Sequence, residues 1–462
     1  MSLISKLLFE PYVHYSCYEL GHTWTPGCWK AFFDTMTFAF RASLRTYASF
    51  YLLTAALKNK NKEYYLTKFL PDMLRSTVFL TANACLFIGA FCMIGKVLGK
   101  YGLITAGFVP AFIASFLSVL IERKSRRGML AVYLTNLASE YLFKSLVAHG
   151  YIKPIKFGEV FMFMITAAVY MFLFCSHDGL AGAEQKGIKF IVGDLEQVNG
   201  GDEWQAKTET RKKQVLLGAK YLLGLTKYIN VLNNVVKSWR KHHLCRHSHS
   251  CLSYVIQGTL RNFMIGYGIQ GCMKLVGSVP KLLKQPHLLL TSLTHGHNVR
   301  LGCFLAGFCG IFRGVCCLLR WLTAEHKRQH AAVAGFLAGS SMGFYRSVPI
   351  SLYLFWKLLE TLYYKGIEAG HLPSFRHFDV MLYAFSTAIN FHAAVFSPHL
   401  MRPAYWDFLK KLTNQRFAEM NRLVLDIYGT NAAKICPSVW PDYDPNHTHL
   451  TLPAIKDMFI TK

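Results

Sequence analysis

Charged side chains are scarce in this sequence of 462 residues, because Asp, Glu, Lys and Arg together make up only 16% of it. Soluble domains usually carry about 25% charged residues. Hydrophobic residues make up 52% of the chain and aromatic residues 15%. This composition argues against an ordinary water-soluble enzyme and favours a membrane protein.

Acidic residues are the scarcer charge, with 25 Asp and Glu against 51 Lys and Arg, for a formal net charge of +26. An apolar and strongly basic chain is typical of a membrane protein whose loops face anionic head groups. We therefore expect the lipid bilayer and anionic lipids as partners. Nucleic acid is not expected, because the basic residues are scattered between apolar runs and form no single stripe.

Catalytic sequence motifs are also missing. The chain has no GxGxxG, GxxxxGK[ST], GxSxG or HExxH motif, and its carboxylates are too sparse to suggest paired acid and base groups. We therefore do not expect an enzyme. The first 22 residues have no sustained apolar stretch and no small-residue cleavage site, so no secretory signal is predicted.

Long apolar runs, in contrast, are abundant, and a helix needs about 20 of these residues to cross a bilayer. The sequence predicts an all-α, multi-pass membrane protein with eight to ten membrane helices. The predicted spans are 32–57, 77–98, 103–121, 157–174, 252–276, 301–322, 331–345, 348–364 and 380–396. The predicted organisation is an N-terminal Cys/His segment (1–30), a first bundle (31–176), a basic linker (177–250), a second bundle (251–400) and a tail (401–462).

The two predicted bundles resemble each other, which indicates an internal duplication. FCMIGK at 91–96 matches FCGIFR at 308–313, and KSLVAHG at 144–150 parallels KGIEAG at 365–370. No single match is specific, but their order along the chain is preserved. An odd number of helices in each half would give inverted repeats, and an even number would give parallel ones.

Small side chains recur every fourth residue in two runs of the second bundle. Residues four apart share a helix face, and small faces let membrane helices approach closely. We expect these two helices to pack against each other or against their equivalents in the first half, although a cavity wall is the other interpretation. The predicted packing residues are Gly302, Ala306, Gly310 and Gly314, followed by Ala331, Gly335, Gly339 and Gly343.

Ionisable residues within apolar runs are costly and usually paired or functional. Arg41 with Glu140, and Arg261 with Glu360, would form repeated ion pairs. The alternative is that the arginines reach to the membrane interface. The intramembrane polar candidates are Asp34, Arg41, Glu140, Arg261, Arg346 and Glu360.

Two Cys/His clusters precede the predicted bundles. Cys17, His22 and Cys28 form one; the other contains Cys245, His247 and Cys251 within HHLCRHSHSC. Thiolate and imidazole suit tetrahedral zinc, but neither spacing is a CxxC pair. A His-rich polar loop is the more common outcome, so no cofactor is predicted. Several of the 13 cysteines lie inside apolar runs and are interpreted as packing residues: Cys85, Cys92, Cys309, Cys316 and Cys317.

Two basic amphipathic helices are predicted outside the bundles, at 216–239 and 406–427. The second places Leu409, Leu412 and Phe417 near one face. Each helix could lie on an anionic bilayer, and docking onto the protein's own core is the alternative.

The chain resembles the transmembrane protein 135 family, also called peroxisomal membrane protein 52. The likeness rests on CYELGHTW (17–24), FLTANA (79–84), LIERKSRRG (120–128), AGFLAGSSMGFY (334–345), KGIEAG (365–370) and RFAEMNRLVLD (416–426). The Gly-rich C-terminal half also looks distantly like the mitochondrial inner-membrane translocase channel family, from which no function is transferred.

The first resemblance implies a multi-pass protein of peroxisomal and mitochondrial membranes. It implies roles in mitochondrial fission, peroxisome organisation and fatty-acid or sterol metabolism, and it transfers no catalytic residues. One mechanism is a lipid, sterol or metabolite conduit. The other is a non-transporting scaffold whose basic linker and tail recruit fission machinery or peroxisomal proteins. A cavity lined by Arg41, Arg261, Glu140 or Glu360 would favour the conduit.

Overall fold

The computed structural model describes residues 12–57, 62–176, 179–180, 182–193, 195–196, 240–247, 249–282, 297–325, 327–430, 440–448 and 450. The predicted amphipathic helix at 216–239 lies outside these ranges. Within the described ranges the chain forms helices and turns with no β-strand, apart from one isolated antiparallel bridge between Val13 and Tyr101. The predicted all-α class is therefore confirmed for the described residues.

The main helices follow one another with short connections. They are α1 (Cys17–Leu20), α2 (Cys28–Leu57), α3 (Leu70–Leu98), α4 (Phe108–Val119), α5 (Lys124–Ala148), α6 (Gly158–Phe174), α7 (Gly182–Val192), α8 (Cys251–Leu282), α9 (His297–Thr323), α10 (Arg328–Gly339), α11 (Val348–Glu368), α12 (Phe378–Phe396) and α13 (Pro403–Leu412). A short helical turn (Lys62–Tyr64) and a π-helical turn (Tyr65–Phe69) lead into α3.

Local sequence explains several of the helix ends. Ser16 and Glu19 form a capping box at α1, in which each side chain binds the backbone N–H of the other residue. Gly99, with φ of 65°, ends α3 in the left-handed conformation that glycine adopts without strain. Pro403 begins α13, where its missing N–H costs nothing.

The chain folds into two compact units, one built from Met1–Lys153 with Gly370–Lys462 and the other from Pro154–Ala369. These boundaries differ from the predicted bundles at 31–176 and 251–400. Helix α6 belongs to the second unit and α12 to the first, because the chain changes unit in two connections, 149–157 and 369–377. Each connection places a positive-φ glycine after one helix and a positive-φ residue before the next.

In the first unit, α3 packs against α2 and α4, and α12 packs against α4 and α5. Aromatic rings fill this core. Phe91 stacks on Tyr101 with centroids 4.6 Å apart, and Phe87 contacts Phe391 and Phe417. In the second unit, α8 packs along α9, and α6 packs against α10 and α11.

Only α3, extended to Thr67–Leu98, and α9, over Val299–Thr323, are long and apolar enough among the described helices to be candidate membrane spans. The predicted span 103–121 contains α4, a helix of 12 residues. At 1.5 Å per residue α4 measures about 18 Å, well short of a hydrocarbon core of about 30 Å. Apolar composition alone therefore overestimated the length of this helix. In the predicted span 331–345, α10 ends at Gly339 and the chain continues as a 3-10 helix over Ser340–Tyr345.

The predicted helix at 406–427 is wrong in its extent. Helix α13 ends at Leu412, and two 3-10 turns follow after Asn414 and Gln415, which have positive φ. The apolar side chains Leu409, Leu412 and Phe417 are buried in the core of the first unit. This segment therefore uses its apolar face for internal packing, and that face is not free to lie on a bilayer.

Candidate metal centres

The structure gathers each predicted Cys/His group and adds one more thiol to it. The first cluster consists of Cys17, His22, Cys28 and Cys92, and the second of Cys245, His247, Cys251 and Cys317. In each cluster the four potential ligand atoms, three sulfurs and one imidazole nitrogen, lie within 4.8 Å of one another. Each cluster thus offers three thiols and one imidazole.

The first cluster is assembled from α1, the loop that follows it and two long helices. Cys17 begins α1, Cys28 begins α2, and Cys92 lies on α3 six residues before its end at Leu98. The Sγ atoms of Cys17 and Cys28 are 3.4 Å apart. The loop approaches α3 so closely that a Cβ on Gly21 would lie 2.4 Å from the Phe91 ring. Glycine at position 21 therefore permits the approach that brings the loop to Cys92.

His22 has an orientation suited to a metal ligand. Its side chain is fully buried, and Nδ1 lies 2.8 Å from the Thr25 carbonyl oxygen, to which Nδ1–H donates. This hydrogen bond leaves Nε2 as the acceptor nitrogen, and Nε2 has no hydrogen-bond partner among the described residues. Metal-binding histidines almost always donate their other N–H to a carbonyl or a carboxylate in this way.

The second cluster has the same construction. Cys251 begins α8, and Cys317 lies on α9 six residues before its end at Thr323. His247 is buried, with Nδ1 2.5 Å from the His249 carbonyl oxygen and Nε2 3.7 Å from Cys317 Sγ. The Sγ atoms of Cys245 and Cys251 are 3.8 Å apart.

Hydrogen bonds stabilise a thiolate in both clusters. A hydrogen bond from Cys92 lowers the pKa of Cys17 most, burial opposes it, and the electrostatic effect of the nearby His22 imidazole adds to the lowering. In the second cluster, the bond from Cys317 is the largest cause that lowers the pKa of Cys245, burial again opposes it, and His247 contributes. A thiolate is the form of cysteine that binds metals.

The second cluster also has a buried ion pair beside it. The guanidinium of Arg320 pairs with the carboxylate of Glu196, and both side chains are almost fully buried. Arg320 Nη1 lies 3.8 Å from Cys245 Sγ. A cation at this distance favours the thiolate form of Cys245.

Sequence reasoning missed Cys92 and Cys317, which were interpreted as packing residues because they lie in apolar runs. Cys92 is more than 60 positions from Cys28, and Cys317 is more than 60 positions from Cys251, too far for a spacing motif. The available signal was that the second long helix after each Cys/His segment carries a cysteine near its C-terminal end.

Helices α9 and α10 pack against each other, as predicted. Several glycines of their small-residue runs, however, contact other helices. On α9, a Cβ on Gly310 would lie 2.5 Å from Thr259 Oγ1 of α8. On α10, Cβ atoms on Gly335 and Gly339 would lie 2.7 Å from the Ala167 carbonyl oxygen and 2.6 Å from Met164 Cα of α6. Of the other residues in the two runs, a Cβ on Gly302 would contact Phe263, and a Cβ on Gly314 would lie 4.0 Å from Val255. Ala306 and Ala331 are buried. A Cβ on Gly343 would meet no atom within 4 Å.

Glu140 and Glu360 pair with cations other than the predicted Arg41 and Arg261. Glu140 accepts hydrogen bonds from Arg402 and from Lys144, the latter at 2.7 Å. Glu360 accepts one from Lys357 at 2.5 Å. Arg402 was missed because it is 262 positions from Glu140 in the sequence.

The other polar candidates have separate environments. Arg346 donates to Glu159 at 2.6 Å, and Arg261 lies over the Phe190 ring at 5.5 Å. Asp34 is half-buried on α2, and Arg41 lies on the same helix at an apolar groove.

That groove lies between α2 and α3 within the first unit and has a volume of about 530 Å³. Its walls are mainly apolar, and Arg41 is its only charged lining residue among those described. The lining residues are Phe32, Met36, Thr37, Phe40, Arg41, Val78, Thr81, Ala82, Cys85 and Leu86.

Comparison with known families tests the resemblance. Residues 14–147 match the model of a family described as the N-terminal cysteine-rich region of transmembrane protein 135. The match lies in the N-terminal third of the chain. The predicted resemblance is therefore confirmed. The matched region contains all four residues of the first cluster. No solved structure matches the chain.

Proposed function

We propose that this transmembrane protein 135 relative is a multi-pass protein of peroxisomal and mitochondrial membranes. It would regulate mitochondrial fission and peroxisome organisation in connection with fatty-acid or sterol metabolism. The family match supports this proposal, together with two apolar helices of spanning length. Large exposed apolar side chains such as Trp29, Phe33 and Phe161 add support, because a bilayer would cover them.

The observation that carries a lipid-handling mechanism is the groove between α2 and α3. Its volume lies within the range of pockets that take small ligands, about 300–1,000 Å³. Apolar walls with a single cation fit an anionic amphiphile, whose hydrocarbon chain lies along the walls and whose head group meets Arg41. We therefore propose a long-chain carboxylate or an anionic lipid as the ligand of this groove.

Arg41→Gln should weaken binding of a long-chain fatty acid about tenfold, because a charge-assisted hydrogen bond contributes about 1.5 kcal/mol. Ala82→Trp should weaken it further by filling the groove. Binding is measured with a photoreactive fatty acid on the full chain in detergent. Arg45→Gln is the control, since Arg45 is exposed on the same helix and does not line the groove. Equal labelling of all three variants and the parent would refute the proposal.

A scaffold remains the alternative function, in which the basic linker recruits other proteins. The scaffold and the groove mechanism predict opposite effects of two variants on mitochondrial morphology in cells. The scaffold predicts that deleting 197–239 would abolish the effect on morphology, whereas Arg41→Gln would leave it unchanged. The groove mechanism predicts loss of function with Arg41→Gln and tolerance of the deletion.

We also propose that the chain arose by duplication. In both clusters the second cysteine begins a long helix, and the third cysteine lies six residues before the end of the next long helix. Helices α4 and α10 both have 12 residues, and Phe157 and His377 both precede a helix with φ near 65°. In this register Cys92 corresponds to Cys317, eight residues beyond the partner that the FCMIGK and FCGIFR match would give it.

A further inference from the structure

We propose that each cluster binds one Zn²⁺ ion through three thiolates and one imidazole. The first site would use Cys17, His22 Nε2, Cys28 and Cys92. The second would use Cys245, His247 Nε2, Cys251 and Cys317. Both would be structural sites that fasten the segment before a long helix to the C-terminal part of the following long helix.

The separations between ligand atoms fit tetrahedral zinc. Bond lengths of about 2.3 Å to sulfur and about 2.0 Å to nitrogen place sulfurs about 3.8 Å apart and sulfur about 3.5 Å from nitrogen. The observed Sγ–Sγ distances are 3.4 Å in the first cluster and 3.8 Å in the second. The distance from Cys317 Sγ to His247 Nε2 is 3.7 Å.

The histidines provide an independent observation. A buried imidazole nitrogen without a hydrogen bond costs free energy, and His22 Nε2 is such an atom. In both histidines the other nitrogen is bound to a backbone carbonyl, which fixes the tautomer with Nε2 unprotonated. A metal ion at the centre of the cluster would satisfy Nε2 in each case.

Disulfide formation explains the clusters less well. Three thiols in each cluster would leave one cysteine unpaired and would leave Nε2 of His22 without a partner. Three soft thiolates and one imidazole favour zinc over magnesium, calcium or manganese, which prefer oxygen ligands. Four protein ligands leave no open position, which is typical of structural zinc.

The surroundings stabilise the thiolates that zinc requires. Cys28 and Cys251 are the first residues of α2 and α8, where the positive end of the helix dipole favours a negative sulfur. Three thiolates and Zn²⁺ leave a net charge of −1 at each site. Arg320, 3.8 Å from Cys245 Sγ, offsets part of this charge at the second site.

The test is the zinc content of the full chain purified in detergent, measured by inductively coupled plasma mass spectrometry. We expect about two zinc ions per chain. Cys92→Ser and Cys317→Ser should each lose one, and the double variant should lose both. Cys85→Ser and Cys316→Ser are matched controls, because these buried thiols lie on the same two helices outside the clusters. Controls that lose zinc would refute the assignment.

A second set of variants keeps the test valid if the serine variants fail to fold. His22→Cys should retain zinc because a thiolate replaces the imidazole, whereas His22→Ala should lose it. On the unaltered chain, native mass spectrometry before and after chelation should show the loss of two zinc ions and six newly alkylated cysteines. Zinc-free protein with freely alkylated thiols, or a disulfide between Cys17 and Cys28, would overturn the proposal.

Discussion

Gly339→Leu is expected to lower the free energy of unfolding by about 3 kcal/mol or more. A Cβ at this position would lie 2.6 Å from Met164 Cα, a backbone atom of α6 that cannot move away as a flexible side chain could. The larger part of the effect should already appear with Gly339→Ala, because the clash begins at Cβ. The measurement is the unfolding free energy of the detergent-solubilised protein in a denaturant titration.

Gly343→Leu is the matched control for this prediction. Gly343 continues the same four-residue spacing, but a Cβ there would meet no atom within 4 Å. We expect a change within about 0.5 kcal/mol, as for most surface substitutions. If both leucine variants had the same stability as the parent, the close contact between α10 and α6 would be wrong.

Arg422→Met is expected to lower the unfolding free energy by about 4 kcal/mol. The side chain is 1% exposed, and its guanidinium donates to the carbonyl oxygens of Ala394, Phe417 and Ala418 at 3.0–3.1 Å. Methionine would fill much of the space but would leave these buried carbonyls without a donor. Arg422→Lys should recover only part of the loss, since an ammonium group lacks the planar fork that reaches several acceptors.

Arg416→Met serves as the control in the same segment. Arg416 pairs with Glu419 at 2.7 Å, and its side chain is 32% exposed. Exposed pairs contribute about 0–1 kcal/mol, so this variant should be nearly as stable as the parent. The opposite ranking of the two methionine variants would show that Arg422 is not the buried anchor of the tail.

Two features of residues 406–427, the helix end at Leu412 and the burial of Arg422, were missed for the same reason. Sequence periodicity identified Leu409, Leu412 and Phe417 as an apolar face, and these side chains are indeed buried. The pattern could not tell whether a bilayer or the protein's own core covers that face, because both are apolar. The pattern also could not show that Arg422 is buried, since only tertiary packing brings the carbonyls of residues 394 and 417 to it.

The two Cys/His clusters also combine residues that local spacing predicted with one residue that only the fold brings to them. Cys17, His22 and Cys28, and their counterparts Cys245, His247 and Cys251, were predicted from local spacing. The fourth cluster residues, Cys92 and Cys317, come from helices that begin more than 40 residues after Cys28 and Cys251. No local spacing rule covers such a separation, so these thiols were indistinguishable from packing residues until the fold placed them.

The sequence by itself determined the all-α class, the resemblance of residues 14–147 to the transmembrane protein 135 family and six of the eight cluster residues. These depend on composition, on motifs and on short spacings, which are local properties of a chain. Only the tertiary structure decided that Arg402 pairs with Glu140, that α6 and α12 belong to units other than those predicted, and that a thiol from α3 or α9 completes each cluster. Such choices depend on contacts between distant segments, for which many apolar helices offer nearly equivalent faces.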